Sequence, residues 1–335
     1  MEPLRIGVLG ASRIAVNALV APARELGHRL VAVAARDRDR AEDFAATHGV
    51  ERVLDDYAAV VSDPEVEVVY NPLPNALHGP WNLAAVAAGK HVVSEKPFAA
   101  NAEEAAEVRD AAAKAGVVVM EAFHYAFHPL TRRLHALLDS GELGELRRVE
   151  AAAFIPPPPA DDIRWSLPLA GGALMDVGCY ALHAALMLAP WAGGTPRVVA
   201  ARGRERAGAP QVDEWLEAEL AFPDGAVGRA ECRMAGEEVR WDLRVVGTRG
   251  EARAANFVAP HQDDRLVVRT EQGGERVERT GRRPTYSHMW EAFAARLRQG
   301  TPLPIDTENA VTTMALIDDC YRAAGLSPRP RHTPA

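Results

Sequence analysis

The N-terminal part of the chain alternates short valine-rich runs with helical ones, and that alternation restricts the fold more than any other feature. Leu4–Leu9, Arg29–Ala35, Val66–Asn71, His91–Ser94 and Val117–Glu121 read as strands, with Gly79–Ala88 and Ala102–Ala115 as helices among them. Apolar strands without polar alternation are buried on both faces, which requires a parallel sheet covered by helices on each side. The first strand runs into Gly10-Ala11-Ser12-Arg13-Ile14-Ala15 and opens a helical stretch. A glycine turn between strand and helix brings backbone N–H groups and a helix N-terminus up to a pyrophosphate. Gly10, Ser12, Arg13 and Ile14 are therefore candidate dinucleotide contacts. The pattern is Gly-x-Ser-x-x-Ala rather than Gly-x-Gly-x-x-Gly, and the Ser12 hydroxyl is a candidate partner for a phosphate oxygen.

The second strand ends Ala35-Arg36-Asp37, where a dinucleotide fold meets the adenosine ribose. A carboxylate there selects the 2′-hydroxyl and an arginine accepts a 2′-phosphate. Ala35 leaves the strand tip uncharged and Arg36 follows it, so NADP is expected in preference to NAD, with Arg38 and Arg40 as further cations. Asp37 is the rival feature, favouring NAD if it folds back onto the ribose. The loop Pro72-Leu73-Pro74-Asn75-Ala76-Leu77-His78 lies at the carboxyl end of a strand, where open α/β sheets bind ligands. Pro72, Leu73, Asn75 and His78 are cofactor-site candidates; Asn75 and His78 suit a turn and a helix start equally well.

The strand His91-Val-Val-Ser94 delivers Glu95 and Lys96 to its tip, and Pro97 restricts Lys96 to extended backbone angles. Lys90, Lys96 and Lys114 are the only lysines in a chain whose cations are otherwise arginine. A retained lysine suggests chemistry that arginine cannot do, because lysine loses its proton when desolvated. Lys96 is the candidate acid/base, and Glu95 and Lys96 are also candidate cofactor contacts; a surface lysine before a loop proline is the plain alternative.

After Glu121 the texture changes. Pro156–Pro159 is an irregular connection, and strands between Arg197 and Thr280 carry hairpin signals at Pro223-Asp-Gly225, Gly247-Thr-Arg-Gly250 and Gln272-Gly-Gly274. This predicts an antiparallel sheet, followed by helices over Thr285–Leu297 and Thr307–Ala324. Within Gly171-Gly-Ala-Leu-Met-Asp176-Val-Gly178-Cys-Tyr180-Ala-Leu-His183, a regular helix would set Asp176, Tyr180 and His183 on one face. Such a polar stripe in an apolar helix is expensive to bury without partners, although tyrosine and histidine are often satisfied core residues.

The glycine turn, Glu95-Lys96-Pro97 and Gly-Gly-Ala-Leu-Met-Asp176-x-Gly178-x-Tyr180 together resemble the Gfo/Idh/MocA oxidoreductases, over essentially the whole chain. The resemblance implies an α/β protein with a Rossmann doubly wound parallel sheet in residues 1–124. It further implies a second α/β domain, 125–335, built on a large, mostly antiparallel sheet for substrate binding and oligomerisation. It also implies a nicotinamide cofactor and Lys96 in the active site. Many relatives have histidine where this chain has Tyr180, so a histidine acid/base does not carry over. The tyrosine form is similar to the branch of dimeric dihydrodiol dehydrogenases and sugar ketoreductases, and Arg36 to its NADP-using members. On this reading Lys96 and Tyr180 handle the proton of a CH–OH dehydrogenase acting on a sugar, cyclic polyol or dihydrodiol, and Asp176 orients them. Tyr125, His183 and Tyr286 are secondary pocket candidates. Glycoside cleavage assisted by the cofactor without net redox change, and a non-catalytic NADP sensor, are the competing functions.

A net charge of −8 and the absence of a dense basic run argue against nucleic acid or an anionic membrane as partner. Cys179, Cys232 and Cys320 form neither a metal-ligand spacing nor a disulfide framework, so no metal is expected and the compartment is reducing. No apolar run is read as a membrane span, and the expected location is cytoplasmic. Mixed charges opposite apolar residues on the predicted sheet strands, Glu217, Arg229, Arg240 and Asp242 among them, suit a homodimer or higher homo-oligomer.

Overall fold

A computed structural model describes residues 2–332 and divides the chain into two compact units. The first contains five strands: β1 (Arg5–Leu9), β2 (Arg29–Ala34), β3 (Val68–Asn71), β4 (His91–Ser94) and β5 (Val119–Glu121). They form one sheet in the order β2-β1-β3-β4-β5, every pairing parallel. All four residues of β3 are buried, as are the last three of β4, so the valine runs fill the sheet centre. The helix Ala102–Ala115 starts at Asn101, whose side chain accepts from the Glu104 N–H, and stops at left-handed Gly116.

The second unit holds an eight-stranded sheet: β6 (Leu146–Phe154), β7 (Arg197–Arg206), β8 (Ala209–Ala221), β9 (Val227–Arg233), β10 (Arg240–Gly247), β11 (Gly250–Ala254), β12 (Arg265–Thr270) and β13 (Gly274–Arg279). Its order is β13-β12-β11-β10-β6-β9-β8-β7, antiparallel throughout except that β6 and β9 run parallel. The expected hairpins β8–β9, β10–β11 and β12–β13 turn at the glycine-containing segments the sequence marks. The α/β architecture with a parallel sheet and a second, mostly antiparallel sheet is thus present.

One domain expectation is corrected. The first unit runs to His124 but also takes in Tyr286–Thr312, which the reading of 125–335 as a single domain had placed elsewhere. The cause lies in long-range contacts of the helix Thr285–Gln299. The Trp290 indole N–H donates to the Ala18 carbonyl at 2.7 Å and its ring meets Tyr70 edge-on. Arg298 pairs with Glu67 at 2.8 Å, and the Ser287 hydroxyl donates to Glu25. A second correction concerns hydropathy: Leu167–Trp191, 25 residues long, meets the length and composition of a membrane span. Its most apolar window is 83% buried inside the structure, and short 3₁₀ and π turns interrupt it, as in the core helix of a globular unit.

Candidate active site

In the first unit the turn after β1 is built as a phosphate cradle. Gly10 has φ of +91°, which disfavours a side chain, and its N–H donates to the Ala34 carbonyl at 2.7 Å, pinning the turn to the end of β2. Ser12 is the N-cap of the helix that follows, its hydroxyl oxygen accepting from the Ala15 N–H at 3.4 Å. Its proton remains to donate to a ligand. Arg13 and Ile14, in the exposed first turn, offer backbone N–H groups with no partner inside the helix.

At the tip of β2, Asp37 is the N-cap of Arg38–His48 and accepts from the Arg40 N–H at 3.2 Å, which engages the carboxylate that would favour a ribose 2′-hydroxyl. Arg36 is exposed, and Arg40 donates to the Ala11 carbonyl at 3.0 Å, fixing a second guanidinium against the glycine turn. Arg38 is instead paired with Glu42 and Asp55. Tyr57 borders the same turn: burial raises its phenol, while Arg36 and Arg40 oppose that shift. A positive-φ glycine turn flanked by two cations fits a dinucleotide carrying an extra phosphate.

The loops after β3 and β4 are tied to each other. The His78 ring nitrogens lie 2.6 Å from the Pro97 carbonyl and 2.7 Å from the Leu73 carbonyl. Burial pushes this imidazole down to about 4, so the neutral ring donates to one carbonyl only. His78 therefore braces the loops after β3 and β4, the loops expected to line the cofactor site. Pro72 and Leu73 are buried, and Asn75 is half-buried in the 3₁₀ turn Asn75–Leu77. Asn71, Asn82 and Ser94 form a buried chain beneath them, with links of 2.9 and 3.0 Å.

Lys96 is half-buried at the end of β4, and the Lys96–Pro97 peptide is cis. Glu95 is buried and accepts from the Tyr70 hydroxyl at 2.9 Å. Glu121, which no sequence pattern singled out, ends β5 opposite Ser94 and is 3% exposed. Among the described residues, neither of its carboxyl oxygens receives a well-formed hydrogen bond. Burial lifts its carboxyl well above the usual range, with the nearby Phe98 N–H and Lys96 ammonium pulling the other way and Glu95 adding to the rise. Tyr286 belongs to this unit too: its ring lies 4.0 Å from that of His124, and burial, then Glu95, raises its phenol.

In the second unit the Asp176–Tyr180 stretch is not one regular helix. Leu174–Gly178 is a π turn and Cys179–Leu186 continues as α-helix. One extra residue in a turn rotates everything downstream by about 100°, which splits the expected three-residue stripe. Asp176 accepts from Arg164 at 2.9 Å. Tyr180 and His183 both meet Tyr125 instead: the Tyr125 hydroxyl lies 2.6 Å from His183 Nδ1, and the Tyr125 and Tyr180 ring centroids are 6.1 Å apart. Trp241 stands edge-on to Tyr180 at 6.0 Å. Arg164, held by Asp162 as well as Asp176, was missed because its partners lie in irregular chain and a π turn.

Residues 4–123 match the family described as "Oxidoreductase family, NAD-binding Rossmann fold", and residues 131–253 match the "GFO/IDH/MocA C-terminal domain". The chain belongs to the GFO/IDH/MocA oxidoreductase family. This oxidoreductase is 37% identical to D-xylose 1-dehydrogenase (NADP(+)) 2 of Haloferax volcanii, across 96% of its own length and 97% of the relative's. It is 34% identical to trans-1,2-dihydrobenzene-1,2-diol dehydrogenase of Mus musculus, over 82% of this chain and 79% of that one. Its fold superposes with TM-score 0.84 and 28% identity on KijD10, a 3-ketoreductase from Actinomadura kijaniata in complex with NADP and TDP-benzene, covering 95% and 96% of the two chains.

Proposed function

We propose that this oxidoreductase uses NADP to interconvert a carbinol and a carbonyl on a sugar or related polyol, and that Lys96 and Tyr180 handle the proton. The observation that carries the reading is the near full-length similarity to D-xylose 1-dehydrogenase (NADP(+)) 2, in a chain that has Lys96 just beyond the end of β4. Cofactor choice is supported separately: Asp37 is engaged as a helix cap while Arg36 and Arg40 flank the glycine turn. When bound, the nicotinamide supplies or accepts the hydride.

The chain's own residues then do three things. Gly10, Ser12 and the first helical N–H groups hold the pyrophosphate, and Arg36 with Arg40 holds the 2′-phosphate. Lys96 Nζ carries the proton that the substrate oxygen takes up on reduction and gives back on oxidation. Tyr180 supplies a second proton donor, its phenol hydroxyl, and Asp176, itself fixed by Arg164, orients the acting group.

The test is an absorbance assay at the reduced-nicotinamide band with D-xylose, other aldoses, cyclic polyols and a trans-dihydrodiol, each with NADP⁺ and NAD⁺. A stoichiometric rise with at least one sugar, larger with NADP⁺, is expected. Tight cofactor binding with no absorbance change for any of these would sink the reading and favour a sensor or a non-redox reaction.

A further inference from the structure

The Gly171–Gly172 turn that launches the Asp176 and Tyr180 stretch is gripped by a buried ion pair from distant parts of the second unit. Arg329 and Asp213 are both fully buried, with Nη2 2.7 Å from Oδ1. Asp213 Oδ1 also accepts from the Tyr321 hydroxyl at 3.0 Å, and Oδ2 accepts from the Leu174 N–H at 2.7 Å. Arg329 Nε donates to the Gly171 carbonyl at 2.7 Å and Nη1 to the Ser327 carbonyl at 3.2 Å, while the guanidinium lies 3.8 Å over the Tyr321 ring. Gly172 has φ of +129°, and a Cβ there would stand 2.1 Å from Asp213 Oδ1 and 2.6 Å from Arg329 Nη2. Only glycine fits against this pair.

Two features separate the arrangement from ordinary core cement. A buried ion pair is a poor way to stabilise a fold, because desolvation offsets the attraction and apolar replacements do as well or better. Here the charges also reach the backbone at two points of one turn, the Gly171 carbonyl and the Leu174 N–H. Asp176 follows two residues after Leu174, and the Asp176 N–H in turn donates to the Gly172 carbonyl at 3.0 Å. The Gly172 N–H is held by the Arg164 carbonyl at 2.8 Å, and the same Arg164 binds the Asp176 carboxylate. The turn is thus fixed from three sides before the helix begins.

We propose that Arg329 and Asp213 are positioning residues of the reaction, setting where the π turn starts and hence where Asp176 and Tyr180 stand. This rests on the role assigned above to Tyr180 and Asp176. It makes the segment around Arg329 part of the reaction machinery, although it lies about 150 residues along the chain from the helix it positions.

The test uses Asp213→Leu with Arg329→Met, which removes both charges together and leaves none buried alone, and Arg329→Lys as a milder second variant. Amide exchange of the full-length protein is followed by mass spectrometry on peptides covering 171–183, alongside NADPH affinity and D-xylose turnover well below the melting temperature. We expect faster exchange confined to those peptides, unchanged NADPH affinity, and a fall in kcat of about tenfold or more, the usual consequence of misplacing reacting groups. In a Tyr180→Phe background the same changes should cost less than about threefold, because coupled residues are not additive. Lower melting temperature with kcat per folded molecule within about twofold of wild type in both variants would overturn the proposal, as would unchanged exchange at 171–183. If the double variant fails to fold, Arg329→Lys decides by the same readouts. Full turnover by Tyr180→Phe alone would refute the role of Tyr180; a loss confined to the Arg329 and Asp213 variants would then assign the positioning to Asp176.

Discussion

Lys96 and Glu121 face the same physical problem with opposite charges. Lys96 stays half-buried at a strand end, whereas Glu121 is enclosed with no well-formed hydrogen bond to its carboxyl among the described residues. A carboxyl for which burial outweighs the pull of the neighbouring Phe98 N–H and Lys96 ammonium keeps its proton. Glu121 is therefore expected to be neutral in the folded protein and ionised once the chain unfolds above the ordinary glutamate value of about 4.3. The sign follows directly: the folded state binds the extra proton, so stability is highest below that value and declines as pH rises toward the folded carboxyl's own, raised, titration point. Glu121→Gln removes the proton difference. Urea unfolding of the two proteins from pH 5 to 8 should show the variant gaining on wild type by up to about 1.4 kcal/mol per pH unit, and parallel curves would contradict a neutral Glu121. For Lys96, replacement by Met keeps the aliphatic stem and removes the proton. Turnover should fall by about 10²- to 10⁴-fold while NADPH affinity holds; Tyr180→Phe should match that loss only if tyrosine is the donor.

At the scale of elements, the two helix starts that matter are both glycine turns, and they differ in how far the sequence reveals them. The Gly10 turn follows a strand and precedes a helix in local order, so period and punctuation expose it, and β4 and the helix Ala102–Ala115 were legible to the residue for the same reason. The π turn at Leu174–Gly178 was not legible, because an inserted residue leaves no mark on composition, and a regular helix wrongly aligned Asp176 with Tyr180 and His183. Nor was the return of Tyr286–Thr312 to the first unit, which depends on Trp290 and Arg298 finding partners more than 200 residues away. Glu121 looked like the end of an apolar strand, and only the structure shows what surrounds it. Local order also allows the cofactor reading to be tested at the β2 tip. Arg36→Ala should weaken NADPH binding by about 10- to 100-fold, the scale of a charge-assisted hydrogen bond, and leave NADH nearly unchanged. Equal weakening of both in a fluorescence titration would show that Arg36 does not read the 2′-phosphate.

The large sheet bears on how the whole molecule assembles. Its mixed charges were expected to complement those of a second copy, yet they are already matched within the face. Arg229 Nε donates to Glu217 at 2.9 Å, Arg253 to Asp242 at 2.6 Å and Arg244 to Glu150 at 3.1 Å. Glu150, Arg229, Glu231, Arg240 and Asp242 line a hollow together with Ala151 and Ala152. A face of neutralised pairs presents few bare charges to desolvate, and exposed valines such as Val227 on β9 lie among its strands. A dimer through this sheet would therefore be held by shape and apolar contact, not by attraction between unlike patches. The two mechanisms separate in salt, since raising ionic strength from 0.1 to 1 M shortens the screening length from about 10 to about 3 Å. We expect light scattering to give about twice the 36.1 kDa chain mass at micromolar concentration, with a dissociation constant that barely moves over that range. A dimer that salt dissociates would return the role to intermolecular charge pairing, and a species at the chain mass under all conditions would rule out assembly through the sheet.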